Sequence, residues 1–139
     1  MDIRNVSPGF AVAPQIEPED IPSLAQAGFR TLICNRPDAE EADQPSAAEL
    51  RKAAEAAGIA FHHIPVAGGE FPAAAIAAFR AVRRGSEGRV VAYCRTGTRS
   101  ITLETLANPG DLDASQRLER AAAAGYDLAG LTERLGQGR

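Results

Sequence analysis

Apolar positions along this chain fall into short blocks separated by polar breaks that glycine and proline mark. Residues 9–16 (GFAVAPQI) read as an opening strand or short hairpin, ended by the turn at Pro18-Glu19-Asp20. From Glu19 or Asp20 onward, Ile21, Leu24 and Ala25 are spaced for a helix that stops at Gly28. Residues 31–34 (TLIC) are rich in β-formers and predict a buried strand. The polar, proline-interrupted stretch 35–45 predicts a loop. Ser46, with Glu49 three residues later, has a capping-box pattern and opens a helix ending at Gly58. Residues 60–66 (AFHHIPV) read as the next strand. Gly68-Gly69 then breaks the chain before a helix over 71–84, with Pro72 in its first turn. The strand 89–94 (RVVAYC) runs straight into RTGTRS. A helix over 99–107 follows, ended by the turn Asn108-Pro109-Gly110-Asp111. Two further helical patterns occupy 113–135, separated near Gly125.

Strands alternating with helices of about 10–15 residues imply right-handed crossovers and a mostly parallel sheet. The expected architecture is α/β: a single three-layer domain over residues 1–139, its central sheet flanked by helices on both faces. There is no internal repeat and no linker-like tract. A length of 139 residues with 45% hydrophobic content fits one folded domain.

Charge and cysteine count narrow the function classes. A net charge of -3 argues against a general nucleic-acid partner. No run approaches the roughly 18 apolar residues of a membrane span, and MDIRNVSPGF lacks a signal-peptide core, so a cytoplasmic protein without a membrane partner is expected. Two cysteines make no disulfide framework and read as reduced thiols. The two histidines, His62 and His63, are adjacent and alternate faces along a strand, so neither a metal site nor a cofactor is expected.

The densest chemistry is Tyr93-Cys94-Arg95-Thr96-Gly97-Thr98-Arg99-Ser100. Ligands of an open parallel sheet collect beyond the carboxyl ends of its strands, which is where this segment falls. A strand delivers Cys94 to a tight loop, and the loop opens a helix. Backbone N–H groups there lack helical partners and can converge on an anion. The helix dipole and the guanidinium groups of Arg95 and Arg99 favour a thiolate at Cys94. Gly97 permits the bend, and Arg99 presents a planar fork to a tetrahedral oxyanion. Thr96, Thr98 and Ser100 complete the expected anion-binding loop, with Ser100 either on the thiol or capping the helix.

Cys94–Ser100, with Asn35-Arg36-Pro37-Asp38 and His63-Ile64-Pro65-Val66, resembles the bacterial beta-lactamase-hydrolase-like, protein-phosphatase-like domain family, whose members are also described as sulfur transferases. The likeness runs from the opening strand to AGYDLAGL (124–131). It implies a fold like that of dual-specificity phosphatases, with Cys94 as nucleophile at the base of an anion-binding loop. The chain departs from the phosphatase pattern at two points: Tyr93 stands where histidine is usual, and Arg99 follows Cys94 by five positions where six is usual.

A six-residue loop from Cys94 to Arg99 is the length of rhodanese-type loops, and a smaller ring of amides suits a single sulfane sulfur. The expected activity is therefore a cysteine-dependent sulfurtransferase carrying a persulfide on Cys94. Its partners would be a small anionic donor, thiosulfate or a persulfide, and a thiol acceptor. The alternative is phosphomonoester hydrolysis through a cysteinyl-phosphate, with a phosphate ester as partner and Asp38 or Glu70 as proton donor. A non-enzymatic anion-binding or thiol-sensing module would use the same loop. Arg36 is a further anion-site candidate, or else the partner of Asp38 or Glu40 in a salt bridge. Cys34 is expected at the same sheet edge as Cys94, as a buried thiol or a resolving partner.

Overall fold

The structure, a computed structural model, describes residues 1–137. Its opening segment is a hairpin: β1 (Arg4–Ser7) and β2 (Phe10–Ala13) pair antiparallel around Pro8-Gly9. The first of these strands leaves no apolar signature, because RNVS is a half-exposed edge strand with one aliphatic residue. The turn at residues 18–20 is a short 3₁₀ segment in which the Asp20 carboxylate accepts the Glu17 N–H at 3.0 Å. It leads into α1 (Ile21–Gln26), which is shorter than the helix the sequence pattern predicts.

The remaining elements follow the expected alternation. They are β3 (Phe29–Cys34), α2 (Ala47–Ala56), β4 (Ala60–His63), α3 (Ala73–Gly85), β5 (Arg89–Tyr93), α4 (Thr98–Ala107), α5 (Ala114–Ala123) and α6 (Thr132–Gln137). Ser46 caps α2 by accepting the Glu49 N–H at 3.1 Å. The strand expected over 60–66 stops at His63. Pro65 has no N–H to give a ladder, so Ile64 and Val66 bond singly to Cys34 O and Asn35 O, at 2.9 and 3.1 Å.

Five strands lie in the order β1-β2-β5-β3-β4, and all pairings except β1 with β2 are parallel. The architecture is thus α/β with a mostly parallel sheet, as the sequence pattern implies. Strand alternation sends Ala11, Ala13, Leu32, Val91 and Tyr93 to one face, where Leu24 and Leu50 join them from α1 and α2. Phe10, Val12, Ile33, Val90 and Ala92 pack on the other, against Phe79, Ile101, Leu103 and Ala121 of α3, α4 and α5. Among the described residues no helix is long and apolar enough to cross a membrane.

Register decides where the chemistry sits. Ala13, Tyr93, Cys34 and His63 are paired in succession across four parallel strands, so all four strands end on the same rim. β5 is central in the sheet, and the residue that follows its last rung is Cys94.

Candidate functional site

The loop between β5 and α4 is anchored from both sides before it turns. Cys94 N donates to Ala13 O (3.4 Å), Gln15 N to Arg95 O (3.3 Å), and Asn35 N to Tyr93 O (2.8 Å). Gly97 then reverses the chain with φ +94°, a conformation that disfavours any side chain. Its N–H donates to Cys94 Sγ at 3.1 Å. The sulfur is fully buried at the base of the loop, directly below the N-terminus of α4. Thr96 Oγ1 meets Thr98 Oγ1 at 3.0 Å and accepts the Thr98 N–H at 3.4 Å, and the Tyr126 hydroxyl donates to Thr96 O at 3.0 Å. A Cβ on Gly97 would collide with that hydroxyl.

Arg99 lies near enough to Cys94 to interact with the sulfur electrostatically. Its other contacts are with a carboxylate: Nη1 to Glu40 Oε2 at 2.7 Å and Nη2 to Glu40 Oε1 at 2.8 Å. Nη1 also donates to Val66 O at 2.9 Å. Glu40 is gripped from its other side by Arg36, Nε to Oε1 at 2.9 Å. Arg36 is almost completely enclosed, and its Nη1 and Nη2 donate to Gln15 Oε1 (2.8 Å) and Glu41 Oε1 (2.6 Å). Two guanidinium groups on one carboxylate have the expected electrostatic result. The hydrogen bonds from Arg99 hold Glu40 at about 2, well below its ordinary 4.5, and Glu40 in return raises Arg99. Arg95 stands exposed on the rim, 3.6 Å from Glu41.

The structure separates the sequence candidates. Cys94, Thr96, Gly97, Thr98 and Arg99 come together in one loop. Arg36 does reach the site, but as a buttress for Glu40. Ser100 is not a thiol ligand: its hydroxyl donates to Asn35 Oδ1 at 2.8 Å, deep in the interior. Asp38 Oδ1 accepts the Ala47 N–H at 2.8 Å and so caps α2, which engages one oxygen of the proposed acid in a structural bond. Glu70 is exposed in the turn after Val66. Cys34 Sγ donates to Arg36 O at 3.4 Å and meets the Tyr93 hydroxyl, and burial pushes its thiol up. His63 Nε2 lies 3.0 Å from the same Arg36 carbonyl, a structural position.

Sequence reasoning missed three participants. Asn35 is fully buried and joins β3, the segment after β4, and α4: besides accepting from Ser100, its Nδ2 donates to Ile64 O at 2.9 Å. A carboxamide directly after a buried strand was the available signal. Glu40 was visible only as an i,i+4 partner of Arg36, and its grip on Arg99 spans 59 positions. Tyr126 carried no local signal at all.

A buried sulfur under a helix N-terminus, with the Gly97 N–H on it and an arginine nearby, can hold an anion and attack its central atom. A candidate phosphatase from Neisseria meningitidis Z2491 superposes with a TM-score of 0.86 at 36% identity, covering 100% of this chain and 99% of that one. Tk-PTP in its active form matches with a TM-score of 0.69 at 16% identity, over 98% of this chain and 92% of that one. The Siw14 catalytic core gives 0.70 at 11%, over 97% and 82%. The last two show the fold alone, which is of the cysteine-phosphatase kind. By sequence, a beta-lactamase hydrolase-like protein of Agrobacterium fabrum is 36% identical over 134 residues, 95% of this chain and 31% of the relative. Its counterpart in Xylella fastidiosa strain Temecula1 is 31% identical over 126 residues, 91% of this chain and 29% of the relative. This chain therefore spans about a third of the length of those relatives. The phosphatase-like domain of the beta-lactamase hydrolase-like proteins matches residues 2–111, and the chain belongs to that family.

Proposed function

We propose that this domain is a cysteine-dependent phosphomonoester hydrolase. The reading rests on one observation above all: Cys94 Sγ sits beneath the α4 N-terminus, held by the Gly97 N–H, with the Arg99 guanidinium beside it. The family and the Neisseria relative support phosphoryl over sulfur chemistry, which reverses the preference that loop length alone gives. In the reaction, Cys94 thiolate attacks phosphorus in line and the S–P bond forms as the P–O bond to the alcohol breaks. Loop amides and Arg99 hold the equatorial oxygens, where charge is spread in the transition state. Water then attacks the cysteinyl-phosphate, releasing inorganic phosphate and restoring the thiol.

With one Asp38 oxygen bonded to Ala47 N, esters that need little protonation of the leaving group suit this site best. An aryl ester leaves as a phenolate, whose conjugate acid has a pKa of about 10. The test is hydrolysis of phenyl phosphate by the wild-type protein and by Cys94→Ser, with rapid acid quench and mass analysis of Cys94. Turnover lost in Cys94→Ser, together with one phosphoryl group on the wild-type cysteine, is the expected result. Turnover retained in Cys94→Ser overturns the assignment.

Sulfur transfer is the second reading, carried by the six-residue span from Cys94 to Arg99. Cys94 thiolate would attack the outer sulfur of thiosulfate, expelling sulfite, and an acceptor thiol would then take the sulfur from the persulfide. Thiocyanate formation from thiosulfate and cyanide, absent in Cys94→Ser, distinguishes it.

A further inference from the structure

The anion loop opens onto two depressions that share Gly68, Thr98 and Arg99 as their common wall. One is charged and is bounded by Arg36, Glu40, Glu41 and Arg95. The other has a carbon-rich lining from Phe71, Leu128 and Leu131, with Thr102 and Asp127 at its margin. Phe71 and Leu131 are only partly covered by the core beneath them, so each keeps apolar surface for this groove. Added Cβ atoms at Gly68, Gly69 and Gly130 would meet nothing within 4 Å, so these three glycines leave the groove open.

Charge at the mouth sets a second constraint. Three guanidinium groups, on Arg36, Arg95 and Arg99, are shared between the carboxylates of Glu40 and Glu41. The exposed Asp127 adds a third carboxylate on the apolar side. Such a mouth accommodates one phosphoryl group held by loop amides, and it offers no surplus of positive charge for further phosphates. Apolar surface continuous with the anion loop favours an uncharged, flat organic group on the far side of the ester.

We infer that the Phe71–Leu128–Leu131 groove is the leaving-group subsite, and that it selects monophosphate esters of uncharged aromatic alcohols over polyphosphorylated ligands. The inference rests on the phosphatase reading of the neighbouring loop, but its test measures binding and needs no turnover. Phosphonates are not hydrolysed, so the wild-type protein is titrated calorimetrically with methylphosphonate, 1-naphthylphosphonate and inositol hexakisphosphate. Burying roughly 60–100 Å² of naphthyl surface predicts binding about tenfold or more tighter than methylphosphonate. Inositol hexakisphosphate should bind more weakly than the naphthyl compound. Phe71→Ala and Leu131→Ser should each shrink the naphthyl-to-methyl affinity ratio about threefold or more. That ratio is read on one sample, so a loss of folded protein cancels from it.

Equal affinities for the two phosphonates, a ratio that both variants leave intact, or tighter binding of the polyphosphate would overturn the subsite while leaving the anion loop in place. No binding of either phosphonate would overturn the loop reading together with it. A naphthyl preference in a protein that fails to hydrolyse phenyl phosphate would retain the groove and remove the phosphatase.

Discussion

Glu40 and Arg99 meet through two parallel N–H···O bonds of 2.7 and 2.8 Å across 59 positions of sequence. The fork geometry fixes the plane of the guanidinium, and Arg36 behind Glu40 fixes the carboxylate. Glu40 is thus a positioning residue for the arginine beside the nucleophile. Glu40→Gln keeps the shape but loses the charge and one acceptor oxygen, and a charged hydrogen bond is worth about 1.5–3 kcal/mol. A fall in kcat of roughly tenfold to a hundredfold is expected on phenyl phosphate, with a smaller change in KM. An unchanged kcat, or a loss matched by an equal fall in the folded fraction seen by circular dichroism, would overturn the positioning role.

The same pair makes stability depend on acidity. Glu40 is held at about 2 in the folded chain against an ordinary 4.5, so the folded state binds its proton less readily than the unfolded state. The stabilisation is present above about 4.5 and is lost as pH falls toward about 2. Thermal unfolding followed across that window should show a drop in Tm that is smaller in Glu40→Gln.

Gly97 tests the loop's packing. Gly97→Ala puts a Cβ at φ +94° and against the Tyr126 hydroxyl. Backbone strain of about 1–2 kcal/mol is expected, with the collision in addition. Tyr126→Phe in the same chain removes the colliding oxygen and should restore part of the stability, leaving the backbone share and the tight contact with the ring carbon, 3.1 Å from the added Cβ. A double-mutant cycle by urea unfolding separates the two, and strict additivity would mean they do not touch.

Asn35 tests the interior beneath the loop. Asn35→Ala strands the Ser100 hydroxyl and the Ile64 carbonyl, both of which lose a partner in a buried place. At about 1–3 kcal/mol for each unsatisfied group, a loss of roughly 2–6 kcal/mol is expected in urea unfolding. A change under about 1 kcal/mol would show that water replaces the carboxamide.

Much of this arrangement is carried by short-range pattern. Residues 89–94 followed by RTGTRS place Cys94 at a strand end and the bend at Gly97, because a strand, a turn and a helix start each leave a local mark. Ser46 and the Arg36–Glu40 spacing are readable for the same reason. The contacts that decide the site's working geometry are of another kind. Glu40 to Arg99, Tyr126 to Thr96 and Ser100 to Asn35 join residues 30 to 65 positions apart, and no local propensity encodes such pairs. Ser100 shows the cost: its place beside the loop is legible, while the direction of its hydroxyl is set by a buried carboxamide elsewhere. Loop length points toward sulfur because it is a local, one-residue difference, whereas the likeness to phosphatases belongs to the whole surrounding fold.

Arg4 on the first strand donates to Ala124 O at 3.2 Å and lies 5.7 Å from the Tyr126 ring centre, while Tyr126 holds Thr96. The first strand and the segment after α5 are thereby linked at the outer edge of the anion loop, like two hands closing one latch. The family match stops at residue 111, short of this latch. A protein cut at that boundary would keep every side chain of the anion loop and lose the bolt that holds its outer edge in place.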